Sequence, residues 1–174
     1  MSSPTKAWLA YGVVLTGAVL WCGLIVAAPV LTHAGGTAAV WGEQLYTFFH
    51  PLCHQLDSRS LHIAGAPLGV CSRCSAIYAG FLVGLLIYPF FRPVARPHAP
   101  SRTMLLVALS PMLLDVVLGI AGLHNATIGT RLITGGVFGL LVPYVVMPVV
   151  LGAVHESHNH QPPITQLQKG SPDA

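Results

Sequence analysis

Four long apolar stretches determine what this chain can fold into. They cover residues 8–28, 70–91, 103–123 and 132–154, and each is close to the roughly 20 residues that an α-helix needs to cross a bilayer. Inside a membrane the backbone groups must pair within the segment, and these stretches are too long for the roughly 10-residue strands of a barrel. We therefore predict an all-α membrane protein with four transmembrane helices. The first stretch exceeds the apolar core of a signal peptide, so we expect it to remain as an anchor.

The composition agrees with a chain whose main partner is the lipid bilayer. Hydrophobic residues make up 53% of the 174 residues and charged residues only 7%, whereas charged residues are about a quarter of a soluble domain. The eight basic and five acidic side chains are scattered, without the Lys/Arg-rich block that is typical of nucleic-acid binding. We expect no nucleic-acid partner.

Residues 36–52, between the first two stretches, have the period of an amphipathic helix. Polar Glu43, Gln44 and Thr47 lie on one face, and the apolar side chains that recur on another are Val40, Trp41, Leu45, Phe48, Phe49 and Leu52. We predict an interfacial helix or, as the alternative, a re-entrant or partly buried helix packed on the bundle. Residues 1–154 would form a single membrane domain. Residues 155–174 have no apolar period, which predicts a disordered, His-containing tail.

The positions of Lys and Arg predict the orientation in the membrane. Arg92, Arg96 and Arg102 lie in the proline-rich linker between the second and third stretches, Lys6 lies near the N-terminus and Lys169 lies in the tail. With four spans these regions share one side, which the positive-inside rule places in the cytoplasm. We expect a multi-pass protein of the cell (inner) membrane with both termini cytoplasmic.

Three of the four cysteines lie close together on the predicted outer side. Cys53 precedes His54, and Cys71 and Cys74 form a Cys-x-x-Cys pair at the start of the second stretch. A helix N-terminus and the neighbouring Arg73 favour thiolate over thiol, as both metal ligation and thiol–disulfide exchange require. Three thiolates and one imidazole complete a tetrahedral zinc set. We therefore predict a zinc site with Cys53, His54, Cys71 and Cys74 as ligands.

Two alternatives concern the ligand set itself. Cys53 and His54 are adjacent, and neighbouring residues often cannot reach one ion, so His50 or His62 would supply the imidazole instead. The plainest alternative is that the cysteines are small buried hydrophobes without a chemical role.

A third alternative is a thiol–disulfide oxidoreductase. Cys71 and Cys74 would exchange disulfides and pass electrons to a membrane quinone, as in the four-helix, quinone-linked disulfide enzymes of bacteria, which share only this layout. Such enzymes need a second cysteine pair, which Cys22 and Cys53 would provide.

Asp115 lies near the centre of the third stretch, where an acidic residue costs roughly 2.5 to 3.5 kcal/mol on insertion scales. It therefore needs a partner or a task, and Arg73 and Arg131 are the candidate partners. A pair that only locks helices together is about as plausible as catalysis or ion handling. We expect Asp115, Arg59, Arg73 and Arg131 to form the polar surroundings of the metal and to be the candidate catalytic groups.

Small residues predict where helices pack closely. Gly80 with Gly84, and Gly135 with Gly139, are spaced by one helical turn, which allows two helix backbones to approach each other. Thr127, just before the fourth stretch, is expected to cap that helix.

In combination these motifs resemble the domain of unknown function 2085 family of small prokaryotic integral-membrane proteins. The family pattern falls on Cys53-His54-Gln55, Arg59-Ser60, Cys71-Ser72-Arg73-Cys74, Tyr78-Ala79-Gly80, Pro111 to Asp115, and Arg131 with Thr134-Gly135. The resemblance covers roughly residues 49–139 and departs from the family's glycines at Ala76 and Val116. It implies one site, without an established reaction, made of Cys53, His54, Arg59, Cys71, Arg73, Cys74, Asp115 and Arg131.

The sequence thus predicts a polytopic membrane protein with a Cys/His zinc site at the outer membrane face, either structural or catalytic. The alternatives are a quinone-linked oxidoreductase and an accessory subunit of a membrane complex or transporter. Whether the protein is an enzyme, and whether it forms a homo-oligomer, stay open. His155, His158 and His160 in the tail would bind metals weakly and without selectivity.

Overall fold

The structure, a computed structural model, describes residues 3–94, 102–123 and 126–159. Within these residues it contains six α-helices, one 3₁₀ turn and one two-stranded hairpin. Their order is α1 (Ser3–Ala34), α2 (Gly36–Phe49), the turn Asp57–Arg59, β1 (His62–Ile63), β2 (Ala66–Pro67), α3 (Ser72–Phe91), α4 (Arg102–Ile120), α5 (Ile128–Leu141) and α6 (Pro143–Asn159). The prediction of an all-α protein is confirmed, and the small hairpin is an addition that we did not predict.

Three helical runs in the described part of the chain are long and apolar enough to cross a membrane. They are Thr5–Ala34, Ser72–Phe91 and Ile128–Val154, which correspond to the first, second and fourth predicted stretches. The described apolar stretch of α4, Leu109–Ile120, is shorter, so the fourth span stays a prediction. Most of the predicted linker lies outside the described residues, as do residues 160–174 of the predicted tail, while residues 155–159 continue α6.

The first helix is longer than predicted and carries a proline near its end. At 32 residues, α1 has a length of about 48 Å, more than the hydrocarbon core of about 30 Å. Pro29 lies inside α1 and has no N–H to donate to the carbonyl of Ile25. The backbone N–H of Gly69 donates to that carbonyl at 3.2 Å instead. The proline therefore provides the acceptor that fastens a distant loop to α1.

The amphipathic segment forms α2, which turns back against the end of α1. Gly35 and Gly36 make the reversal with φ angles of 73° and 58°, which glycine adopts without steric penalty. A Cβ at Gly42 would lie 2.9 Å from the carbonyl oxygen of Ala28, so the two backbones touch. The last residue of α2, Phe49, is fully buried. The helix therefore packs against the bundle through the face that carries Gly42 and Phe49, while Trp41 is 64% exposed on another face.

Glycines join α3 to α5, as the spacing predicted. A Cβ at Gly80 would lie 2.6 Å from the carbonyl oxygen of Gly136, and a Cβ at Gly135 would lie 2.7 Å from that of Arg73. A Cβ at Gly139 would collide with the backbone of Ile77. These close contacts, which we call the α3–α5 seam, hold the start of α3 against the start of α5. The cysteines and arginines lie at these two helix starts.

The last predicted stretch is divided into two helices. Val142 separates α5 from α6, and Pro143 is the first residue of α6. A proline suits a first helical position because the N–H that it lacks would have no partner there. Thr127 caps α5 as predicted, and its hydroxyl accepts a hydrogen bond from the N–H of Thr130 at 3.2 Å.

Two apolar clusters lie at opposite ends of the bundle. We call the end at which α3 and α5 begin the cysteine end, and the end at which α3 finishes the distal end. The distal cluster contains Ala7, Tyr11, Ala18, Leu85, Tyr88, Val94, Met147 and Leu151. The cluster of the cysteine end contains Ile25, Phe49, Cys53, Leu68 and Val70, with Cys71 and Cys74 packed against it.

Candidate functional site

A hydrogen-bonded loop positions Cys53 beside the start of α3. The side-chain amide of Gln55 donates to the carbonyl of Tyr46 at 2.9 Å and to that of Gly69 at 2.7 Å. The Tyr46 hydroxyl donates to the carbonyl of Pro67. Gln55 therefore ties the end of α2 to the segment that leads into α3. It does so with a φ of 48°, a left-handed backbone that is uncommon for a residue other than glycine.

The segment that leads into α3 begins with the small hairpin. His62 pairs with Pro67 and Ile63 with Ala66, and Ala64 and Gly65 turn the chain with φ angles of 54° and 81°. Two successive positive φ angles are the feature of a type I′ turn, which suits a tight hairpin. The hairpin thus returns the chain to Gly69 and to the helix start within a few residues.

The three motif cysteines meet at this helix start. The sulfur atoms of Cys53, Cys71 and Cys74 all lie within 4.8 Å of one another. Cys53 is 7% exposed, and Cys71 and Cys74 are half-buried. The backbone N–H of Cys71 donates to the sulfur of Cys53 at 3.2 Å. The three cysteines therefore converge, as the sequence predicted.

The spacing of the sulfur atoms suits one metal ion. Tetrahedral ligands at about 2.3 Å from zinc lie about 3.8 Å from one another, and three sulfurs within 4.8 Å are close to that separation. Thiolate donors are the soft ligands that zinc, copper(I) and iron–sulfur centres take. The cluster can therefore hold a metal ion with small side-chain adjustments.

The thiol of Cys71 is unusually acidic. Its pKa is lowered to about 5, chiefly because the Cys74 thiol donates a hydrogen bond to the Cys71 sulfur. Hydrogen bonds from the backbone N–H groups of Cys74 and Arg73 and from the Cys53 thiol act in the same direction and outweigh partial burial. A sulfur at the start of a helix is expected to be a thiolate for this reason.

The predicted histidine ligands are less closely placed than the cysteines. His54 is exposed and lines a pocket of about 360 Å³ together with all three cysteines, but it is not among the donors that lie within 4.8 Å of one another. His62 instead pairs through Nε2 with Asp57 Oδ1 at 2.9 Å. His50 is exposed at the end of α2. The structure thus brings together three of the four predicted ligands.

Asp115 is paired with the arginine between the two cysteines of the Cys-x-x-Cys motif. It is 7% exposed, and its carboxylate accepts a hydrogen bond from a terminal nitrogen of Arg73. The Arg73 side chain is 16% exposed. The pair links α4 to the first turn of α3, so Arg73, one of the two partners that the sequence suggested, pairs with Asp115.

Arg59, Arg73, Asp115 and Arg131 surround a second pocket of about 530 Å³. Its remaining lining consists of Ser58, Val116, Gly119, Ile120 and Ala126. Arg131 donates from Nε to the carbonyl of Ala126 at 3.2 Å. Arg59 and Arg73 line both this pocket and the cysteine pocket. All four polar residues predicted around the metal are therefore close to the cysteines, at the same end of the bundle.

Sequence reasoning missed the residues that orient the site. Gln55 was visible only as the third letter of Cys-His-Gln, and its two backbone acceptors are nine and fourteen residues away. Gly69 was not singled out, although a Cβ there would lie 3.1 Å from the ring of Phe49. Cys22, which we considered as a partner of Cys53, lines an apolar pocket of about 410 Å³ with Trp21 and Tyr78 and is not part of the sulfur cluster.

Comparison with known proteins agrees with the motifs. The family described as a predicted membrane protein family (DUF2085) matches residues 53–145, which is more than half of the chain. An uncharacterised protein of Methanocaldococcus jannaschii is 32% identical over 149 residues, covering 84% of this chain and 96% of that protein. No solved structure matches the chain. The resemblance seen in the sequence is confirmed, and the chain belongs to the DUF2085 family of membrane proteins.

Proposed function

We propose that this membrane protein binds one zinc ion through Cys53, Cys71 and Cys74 and keeps a fourth coordination position for exchange. The observation that carries the proposal is the meeting of three sulfur atoms within 4.8 Å of one another. A packing role alone would not require three thiols from two separate segments to converge. The N–H of Cys71 that points at the Cys53 sulfur is the kind of contact that holds a ligating thiolate in place.

Three protein ligands favour a catalytic over a purely structural ion. Structural zinc sites are closed by four protein ligands, whereas catalytic sites have three and an open position. In the described residues the cluster offers three, and the pocket beside it is lined by His54, Arg59 and Arg73. A zinc ion in such a site lowers the pKa of a bound water and polarises a substrate oxygen. The neighbouring arginines would hold an anionic substrate next to the ion, while His54 is placed to exchange protons or to close the site.

The location of the site is part of the proposal. α4 has 19 residues and a length of about 28 Å, close to the thickness of about 30 Å of the hydrocarbon core, and we propose it as the fourth span. With four spans both termini share one side, and the positive-inside rule places that side in the cytoplasm. The cysteine end then faces the outer surface of the cell membrane.

Metal content of the purified protein tests the proposal. The full chain in detergent, with His155, His158 and His160 replaced by Ala to remove adventitious tail binding, should carry about one zinc per chain. Cys53→Ser, Cys71→Ser and Cys74→Ser should each lower this to about a tenth or less, whereas the matched control Cys22→Ser should leave it unchanged. Absence of metal, or equal loss in the Cys22→Ser control, would overturn the proposal.

The same geometry gives a second candidate, a thiol–disulfide oxidoreductase. Cys71 is the residue before α3, its sulfur contacts that of Cys74, and its pKa is lowered to about 5. In this reaction the two thiols form a disulfide and lose two electrons and two protons, which reduce a membrane quinone to quinol. The apolar pocket between α1, α3 and α5, lined by Trp21 and Tyr78, is the candidate quinone site.

The oxidoreductase makes a different prediction for the metal-free protein. Because the pKa of Cys71 is lowered, its thiolate persists above about pH 5 and is lost only as the pH falls through that value. The rate of Cys71 alkylation should therefore be flat from about pH 6 to 9, whereas an ordinary thiol gains reactivity up to about pH 8.5. Formation of a Cys71–Cys74 disulfide with stoichiometric reduction of decylubiquinone would favour this candidate over the metal site. A Cys71 rate that still rises above pH 7 would count against it.

A further inference from the structure

We propose that the pocket of Arg59, Arg73 and Arg131 binds the phosphate group of an anion at the membrane surface. The proposal rests on the arginines and not on the metal. Only the further step, that the bound phosphate compound is the substrate class of the zinc centre, rests on the proposed function. Inorganic phosphate and a lipid phosphate headgroup share this chemistry, and the experiment below distinguishes them.

The charge balance of the pocket is positive. Three guanidinium groups and one carboxylate line it, and the other lining residues are uncharged, so its net charge is three minus one, or two positive charges. Arg59 and Arg73 lie close enough to Arg131 to repel its charge, and Asp115 and the Cys71 thiolate, which attract it, offset that repulsion only in part. Like charges held together at a surface that borders lipid are unfavourable unless an anion neutralises them. The arrangement therefore predicts a bound anion.

The hydrogen-bonding capacity of Arg73 points the same way. One terminal nitrogen contacts Asp115, but its Nε is buried and has no hydrogen-bond partner in the described part of the chain. A buried donor without an acceptor is unfavourable, because it has lost its hydrogen bonds to water without replacement. An oxyanion in the pocket would supply that acceptor, since a guanidinium presents Nε and a terminal nitrogen as a fork. Asp115 then acts as the positioning residue that orients Arg73.

Several features favour phosphate over a carboxylate or a halide. Guanidinium forks match both carboxylate and phosphate oxygens, but three forks can share the several oxygens of a phosphate better than the two of a carboxylate. A net charge of two positive units matches a phosphate monoester dianion, whereas a diester monoanion would leave one positive charge in the pocket. The pocket volume of about 530 Å³ exceeds that of a simple ion and falls within the range of small-molecule sites. The remaining space would take the group to which the phosphate is attached.

The position of the pocket suits a ligand that comes from the bilayer. Its edge includes Ile120, the last residue of α4, which is 83% exposed. Arg73 lies in the first turn of α3 and Arg131 near the start of α5. Basic residues at helix ends that border exposed apolar residues are the arrangement that binds lipid headgroups. Arg59 and Arg73 also line the cysteine pocket, so the phosphate would lie beside the proposed zinc ion.

Binding measurements on the full chain in an uncharged detergent test the inference. Inorganic phosphate is titrated calorimetrically, and dioleoyl phosphatidate and dioleoyl phosphatidylcholine are compared by native mass spectrometry. We expect Arg59→Gln and Arg131→Gln each to weaken binding of the effective probe by tenfold or more. The matched control Arg92→Gln, an exposed arginine just after α3, should leave it unchanged. Arg59 is exposed on the loop, so its variant stays informative if Arg131→Gln fails to fold.

The possible results distinguish a free phosphate compound from a lipid headgroup as the ligand. They also distinguish failure of this inference from failure of the zinc proposal. Binding of inorganic phosphate assigns a free phosphate compound, and preference for phosphatidate without inorganic phosphate binding assigns a headgroup; both support the inference. Binding of neither probe, or binding that the Arg59→Gln and Arg131→Gln variants keep in full, overturns it. The Cys71→Ser protein should still bind the probe. Loss of zinc with phosphate binding retained would therefore leave the anion site intact even if the zinc proposal failed.

Discussion

The two ends of the helix bundle are stabilised in different ways. The distal cluster is stabilised mainly by apolar packing, since Leu85, Met147 and Leu151 are fully buried. One of its hydroxyl groups, that of Tyr11, donates to the carbonyl of Leu85 at 2.7 Å. The cluster of the cysteine end is smaller and includes the sulfur of Cys53 among Ile25, Phe49, Leu68 and Val70. At this end the loop between α2 and α3 is held by individual hydrogen bonds to backbone carbonyl groups, donated by the side chain of Gln55 and by the N–H of Gly69.

This difference indicates how a membrane helix bundle can present chemistry without losing stability. At the distal end any side chain of the right shape would serve, because packing is not directional. At the cysteine end direction matters, because Gln55 and the Ile25 carbonyl fix the loop that carries Cys53. Substitutions at the distal end should therefore lower the stability alone, and substitutions at the cysteine end should lower the metal affinity as well.

The largest effect is expected for the buried ion pair. Asp115→Asn leaves Arg73 without its countercharge, and breaking a buried pair costs about 3 kcal/mol or more. Asp57→Asn is the matched control, since the pair that Asp57 forms with His62 is exposed and exposed pairs contribute at most about 1 kcal/mol. The free energy of unfolding in mixed micelles with increasing dodecyl sulfate measures both. Equal losses for the two variants would mean that the Arg73–Asp115 contact does not stabilise the fold.

At the distal end, Leu85→Ala tests the claim that packing alone stabilises that cluster. Leu85 is fully buried, with 0% of its surface exposed. Its truncation should leave a cavity that lowers the free energy of unfolding by about 2 to 3 kcal/mol. The zinc content of the variant should stay unchanged in the same preparations. A loss of zinc from this variant would show that the two ends are coupled and would break the comparison.

The glycine contacts between α3 and α5 extend from the cysteine end toward the distal end. Gly139→Ala should therefore lower the stability of the whole bundle. The added Cβ collides with the backbone of Ile77, and overpacking of this kind costs about 2 kcal/mol. Gly136→Ala on the same helix is the control, because a Cβ there meets nothing within 4 Å and alanine is the better helix former. Thermal unfolding should occur at a lower temperature for the first variant and at the same or a higher temperature for the second. The reverse order would contradict the seam.

The smallest stability effect comes from Gln55, whose substitution should act on the metal more than on the fold. Gln55→Ala removes two hydrogen bonds to backbone carbonyls, a loss of about 1 to 2 kcal/mol. Because the loop then holds Cys53 less firmly, the zinc affinity should fall about tenfold or more. Gln44→Ala, an exposed glutamine on α2, is the control. Competition with a chelating dye measures the affinity, and an unchanged value for Gln55→Ala would remove Gln55 from the site.

The sequence predicted the elements whose signal is local. Apolar runs of spanning length predicted α1 and α3, and the paired glycines predicted the α3–α5 contact. Thr127 was predicted as a cap because its hydroxyl bonds to an N–H only three residues away. The convergence of Cys53 with Cys71 and Cys74 could be predicted because a zinc site needs several thiolate ligands around one ion.

The features that the sequence did not predict depend on contacts between distant residues. Nothing local indicates that Gly69 donates to the carbonyl that Pro29 leaves without a partner. The break between α5 and α6 was missed because the apolar run continues through Pro143. The contact of Arg73 with Asp115 depends on how α3 and α4 pack. His54 was assigned as a ligand because one imidazole completes a set of three thiolates, and the motif does not encode the direction in which a side chain of this loop points.

The most direct test of the zinc site is X-ray absorption at the zinc edge on the full chain with the tail histidines replaced. We predict three sulfur neighbours at about 2.3 Å and one lighter nitrogen or oxygen neighbour at about 2.0 Å. The Cys22→Ser protein should give the same spectrum, and the Cys71→Ser protein should give no protein-bound zinc. A shell of four sulfurs that requires Cys22, or a zinc signal that survives Cys71→Ser, would contradict a site made of Cys53, Cys71 and Cys74.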